Sequence, residues 1–141
     1  MPLSMTVSAQ TAGNQEDGDA VQEVIIYHTN DTHGYLNGDG EEIVGIALAA
    51  GLKESTPNSI LVDAGDATQG LPLASLTKGA DVIELMNLAG YDLMTPGNHE
   101  FDYGMERFLE LSDLLSCGYY SCNFMDLKTG ETKLPGYKME R

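Results

Sequence analysis

The chain has 141 residues, of which 22 are Asp or Glu and 7 are Lys or Arg, for a formal net charge of −15. That length suits one domain with a modest core, and that charge argues against a nucleic-acid polymer or an anionic membrane surface as partner. No stretch is long and apolar enough to cross a bilayer, and most of the acidity reads as a solvated surface.

Residues 1–23 are rich in Thr, Ser, Gln, Gly and acids and contain no Lys or Arg. They read as a disordered lead, without the basic start and apolar centre of an intact signal peptide. Residues 24–28 (VIIYH) form a continuous apolar, β-branched run suited to a buried parallel strand. A Gly-rich loop over 34–40 follows, then a helix over 43–53. Turn chemistry with Pro57 occupies 55–59, and a second strand covers 59–62. Residues 67–76 read as a loop or short helix broken by Gly70 and Pro72. A helix over 80–88 has Gly90 placed as its C-terminal cap. A third strand spans 91–95 and ends at Pro96 and Gly97. An amphipathic helix over 105–115 leads to a fourth strand at 119–123. A hairpin-like turn at 128–131 and an extended segment at 136–139 close the chain. Cys117 and Cys122 read as small buried apolar residues rather than as a disulfide or metal pair.

The alternation βαβαβαβ implies an α/β protein with a parallel sheet and helices packed on it. Ligands of such sheets bind beyond the carboxyl ends of the strands, and three polar clusters fall there. Asp31 and His33, two positions apart, offer a carboxylate and an imidazole that can share one divalent cation; the alternative is a capping Asp and a hydrogen-bonded His. Asp66 stands between Gly65 and Ala67, where its carboxylate is sterically open. It can bridge two cations about 4 Å apart, or serve as a turn or helix-cap residue. In the third cluster, Asn98 offers a neutral oxygen to a metal, and His99 lies one residue further on, aimed at substrate. Asp102 stands three residues later, in place to accept a hydrogen bond from the imidazole and favour its protonated form. An imidazolium beside a phosphate stabilises developing charge or protonates a leaving oxygen. The alternative is a local polar contact that caps the next helix.

Together the segments 26–36 (IYHTNDTHGYL), 61–70 (LVDAGDATQG) and 96–104 (PGNHEFDYG) resemble the metallophosphoesterase domain of the 5′-nucleotidase family, which includes UDP-sugar hydrolases and 2′,3′-cyclic-nucleotide phosphodiesterases. The resemblance implies the N-terminal half of a four-layer αββα fold, with residues 24–141 as a partial domain. It implies metal binding by Asp31, His33, Asp66 (the bridge) and Asn98, and catalysis by His99 with its partner Asp102. Asn30, Gly34, Gly65, Gly97 and Glu100 would shape the backbone or support the ligands. It also implies two divalent ions, for which the mixed nitrogen and oxygen donors favour Zn, Mn or Co, and a nucleotide or other phosphate-ester substrate. The family's remaining metal-ligand histidines and its nucleoside-binding domain have no counterpart after His99, so the missing C-terminal half is the expected partner. A catalytically silent fragment is the competing expectation. Relatives are usually secreted, periplasmic or on the cell surface.

Overall fold

The computed structural model describes residues 7–11, 23–39 and 44–139. Among these residues four strands form one sheet in the order β1-β2-β3-β4: Val7–Thr11, Glu23–Thr29, Ser59–Asp63 and Leu93–Met94. β1 runs antiparallel to β2, with Val7 opposite Tyr27, so part of the segment expected to be disordered is a strand. Residues 1–6 and 12–22, which carry the rest of that expectation, lie outside the described residues. The other pairings are parallel, as the βα alternation implies: Ile26 stands opposite Ile60 and Val62 opposite Leu93.

The helices are α1 (Ile46–Ser55), α2 (Pro72–Leu76), α3 (Ala80–Ala89) and α4 (Met105–Leu114). The beginning of the helix expected from residue 43 falls outside the described residues. α3 buries Val82, Ile83 and Met86 on one face and stops at Gly90, whose left-handed backbone (φ 73°) closes the helix. There Gly90 N–H donates to Asn87 O, and Tyr91 N–H reaches back to Met86 O. α4 buries Phe108 and Leu111. Phe108 packs against Phe101, Tyr119 and Phe124 with ring centroids 4.6–5.9 Å apart.

β2, β3 and β4 follow one another across the sheet in chain order, so right-handed crossovers bring α1 and α3 to the same face. Burial records this. Tyr27 and Thr29 on β2 and Leu61 and Asp63 on β3 are buried, whereas Val24 and Ile26 remain 49% and 38% exposed. The expectation of a strand buried on both faces therefore holds for one face of β2.

Three further expectations change. The fourth strand reduces to a single parallel bridge, Met94 to Tyr119, with Tyr120 N–H on Met94 O. Beyond it the chain turns away, because Ser121 N–H bonds Pro135 O and Met125 bridges Thr132. The hairpin-like turn is present, with Gly130 N–H on Asp126 O and φ 73° at Gly130. Residues 136–139 adopt no regular structure. Of the two free cysteines, Cys117 is half-buried and Cys122 exposed. Cys122 thus departs from the buried reading, because it sits in the turn after the Tyr119 bridge.

Candidate functional site

The three polar clusters meet at the carboxyl ends of β2, β3 and β4, and backbone hydrogen bonds join their loops. Asp31 N–H donates to Gly65 O at 2.9 Å, His33 N–H to Asp66 O at 3.0 Å, and Leu71 N–H to His33 O at 2.9 Å. Gly65 and Gly97 touch through their backbones: a Cβ on Gly65 would lie 2.2 Å from Gly97 N, and one on Gly97 would lie 2.3 Å from Asp66 Oδ1. Neither position admits a side chain.

Five non-glycine residues among those described have positive φ, and Asp31 (52°), His33 (47°) and Asp66 (60°) are three of them. Left-handed backbone costs an L-residue about 1–2 kcal/mol, so surrounding contacts must hold these loops in place. Glu100 supplies many of those contacts. Only 1% exposed, it accepts the backbone N–H groups of Asp66 (2.8 Å), Ala67 (2.8 Å), Thr68 (3.2 Å) and Gly97 (2.6 Å). The Thr68 hydroxyl adds a fifth donor at 3.3 Å. A buried carboxylate is tolerated when it is so surrounded by donors.

The chemistry-bearing side chains gather above this frame. One ligand atom each of His33, Asp66 and His99 lies within 4.8 Å of the others. The two imidazoles meet edge-on, with centroids 5.1 Å apart and planes at 73°. His33 Nδ1 contacts Gln69 O at 3.3 Å, and His99 Nδ1 contacts Asp102 Oδ2 at 2.8 Å. When Nδ1 carries the proton in each ring, Nε2 is left as the electron-pair donor, the arrangement usual for ligating histidines. Two imidazoles and a carboxylate fit a borderline-soft divalent cation such as Zn²⁺, Mn²⁺ or Co²⁺.

The expected site residues distribute unevenly around this group. Asp66 also accepts His99 N–H on Oδ1 at 2.8 Å, which ties the second cluster to the third. Asp102 pairs with His99 as expected, and this hydrogen bond is the largest cause of a raised His99 pKa, with the charges of Asp102, Asp66 and Glu100 acting the same way against burial. His99, expected one step away from the metal, stands in the same donor group as His33. Asp31 is exposed and its Oδ2 takes the Asn30 amide at 2.6 Å; it does not belong to the group formed by His33, Asp66 and His99. Asn98 is exposed and opens the 3₁₀ turn His99–Phe101.

Asp63 is not among the site residues expected from the sequence. It is buried on the helix-facing side of β3, accepts Thr29 Oγ1–H at 2.6 Å and Gly65 N–H at 2.8 Å, and its carboxyl is pushed up to about 7, chiefly by burial. The signal was present in the sequence: an acid in register with Leu61 on a strand of apolar residues points inward.

A family description of the calcineurin-like phosphoesterases matches residues 25–138. The chain belongs to this family. Calcineurin-like phosphoesterases are hydrolases that use divalent metals, and the convergence of His33, Asp66 and His99 fits that membership. The chain is similar to the 5′-nucleotidase of Rattus norvegicus, 37% identical in an alignment 102 positions long that covers 62% of this chain and 18% of the rat protein. Among solved structures it resembles the NAD nucleotidase NadN of Haemophilus influenzae, with TM-score 0.63 and 31% identity over 77% of this chain and 22% of that one. It also resembles the calcineurin-like phosphoesterase YfkN of Bacillus subtilis, with TM-score 0.64 and 28% identity over 79% of this chain and 40% of that one. The chain thus spans under a fifth of the rat protein's length. Its fold is a partial phosphoesterase domain.

Proposed function

We propose that this calcineurin-like phosphoesterase chain contributes the metal-binding loops of a 5′-nucleotidase-type phosphohydrolase that acts on nucleotides through two divalent ions. The observation that carries the reading is that His33, Asp66 and His99 gather within 4.8 Å from loops after three successive strands, which sets the His99 imidazole beside two expected metal ligands. Similarity to a 5′-nucleotidase and to an NAD nucleotidase supports a nucleotide substrate.

In this reading Asp31 and His33 would hold one ion and Asn98 the other, with Asp66 shared between them. Bound ions of this kind activate water and neutralise charge on phosphate. His99 meets the phosphate as an imidazolium, its Nδ1–H donated to Asp102 and its Nε2–H turned to a phosphate oxygen. The raised His99 pKa favours that protonated form. Asp102 fixes the tautomer. Glu100 and the Gly65 and Gly97 contact join the loop of Asp66 to that of His99.

A second reading has the isolated 141-residue chain catalytically silent, because it gathers a three-residue donor group where two ions need more. Mn²⁺-supplemented hydrolysis of AMP and bis-p-nitrophenyl phosphate, run beside Asp66→Asn, separates the two. Turnover that the Asp66→Asn chain lacks establishes the enzyme. Equal rates in both chains establish silence.

A further inference from the structure

The buried carboxyl of Asp63 lies outside the donor group, and none of the chemistry above uses it. Both of its oxygens are engaged, and each serves a different loop. Oδ1 accepts Gly65 N–H at 2.8 Å, and the Gly65 carbonyl in turn accepts Asp31 N–H at 2.9 Å. Oδ2 accepts the Thr29 hydroxyl at 2.6 Å, and Thr29 Oγ1 lies 2.9 Å from the Tyr91 hydroxyl. Thr29 ends β2, Asp63 ends β3, and Tyr91 precedes β4. One buried side chain thus links three strand ends, and through the Gly65 peptide it reaches two left-handed residues, Asp31 and Asp66.

We propose that Asp63 is a positioning residue of the metal centre, acting with Thr29 and Tyr91 to fix the Gly65 peptide and thereby the backbone of Asp31 and Asp66. The assignment rests on the metal-centre reading above. It complements Glu100, which holds the same loop through Asp66, Ala67 and Thr68 N–H. The role requires hydrogen bonds, not charge. An amide at position 63 still accepts Gly65 N–H through its oxygen, and its NH₂ donates to Thr29 Oγ1. An apolar side chain of similar volume loses both contacts, leaving the Gly65 N–H buried without that partner and the Thr29 hydroxyl with Tyr91 alone.

The test is backbone amide exchange by NMR on the metal-free 141-residue chain, with amides of α3 as the reference for global stability. In Asp63→Val, Gly65 and Asp31 exchange about tenfold faster while α3 is unchanged; in Asp63→Asn both stay within about threefold of the parent. Thr29→Val, which removes the hydroxyl and keeps the volume, accelerates Gly65 exchange and serves where Asp63→Val does not fold. Unchanged Gly65 and Asp31 exchange in Asp63→Val, or in Thr29→Val where that stands in, overturns the proposal. So does Asp63→Asn exchanging as fast as Asp63→Val, because charge would then be the requirement. Adding Mn²⁺ to the same samples tests the underlying reading. Paramagnetic broadening at His33 and Asp66 in the parent supports it, with affinity about tenfold weaker in Asp63→Val and retained in Asp63→Asn. No broadening in the parent removes the metal centre, and with it the metal-positioning role, while the exchange rates still report whether Asp63 holds the loop.

Discussion

Asp66 combines two duties that substitution can separate. Its carboxylate belongs to the donor group, and its Oδ1 accepts His99 N–H at 2.8 Å. Asp66→Ala is therefore expected to lose both Mn²⁺ binding and turnover in any active form of the enzyme. His99→Ala is expected to lower turnover by about 10²-fold or more with metal content near the parent's. Metal analysis after gel filtration, paired with initial rates, checks both. Loss of metal from His99→Ala would instead make His99 a ligand, as its place beside His33 and Asp66 also permits. Gly97→Ala is expected to destabilise the fold by about 1–3 kcal/mol in urea unfolding, because the added carbon meets Asp66 Oδ1 at 2.3 Å. Asp63 gives a pH signature of definite sign. Its folded pKa is about 7 against an ordinary 3.8, so between those values the folded state holds a proton that the unfolded state has released. Stability from this group is full below the lower value and is lost as pH rises through the upper one. In urea titrations the advantage of the parent over Asp63→Asn is expected to shrink steadily across that window.

At the scale of elements, the helices were legible because their apolar residues repeat along one face and Gly90 stands where α3 must stop. The carboxyl-end clusters were legible because each follows a strand-like run. Other features depended on tertiary partners. The fourth strand failed to extend because Ser121 bonds Pro135 rather than continuing beside β4. β1 was invisible because its polar segment acquires strand structure from pairing with β2. In the site, the His99 and Asp102 pair was readable from a spacing of three, whereas the donor group of His33 and His99 required knowing how the loops after β2 and β4 face each other. Among the helices, Phe108→Ala on α4 is expected to cost about 3–5 kcal/mol, since it removes the centre of the aromatic cluster. Leu109→Ala, at an exposed neighbouring position, is expected to change stability by at most about 0.5 kcal/mol. Chemical denaturation of the two variants side by side makes the comparison.

For the whole molecule, an apolar sheet face opposes a large negative charge. Val24 and Ile26 are exposed beside half-buried Ile60 and Val62, which favours association, while a charge of −15 resists it. Because the Debye length falls from about 30 Å at 0.01 M salt to about 3 Å at 1 M, self-association is expected to rise with salt. Replacing Val24 and Ile26 with Thr is expected to suppress it. Sedimentation velocity at both ionic strengths decides this, and salt-independent behaviour in both chains would show that the face is not the contact.

The strand order has a consequence in time. Because β2, β3 and β4 are laid down across the sheet in the order of synthesis, each strand meets a neighbour made shortly before it, and little chain must be closed to add the next. The sheet can grow from the ribosome like successive courses of masonry. The loops that carry Asp31 and Asp66 have each other to lean on before the one bearing Asn98 and His99 has emerged.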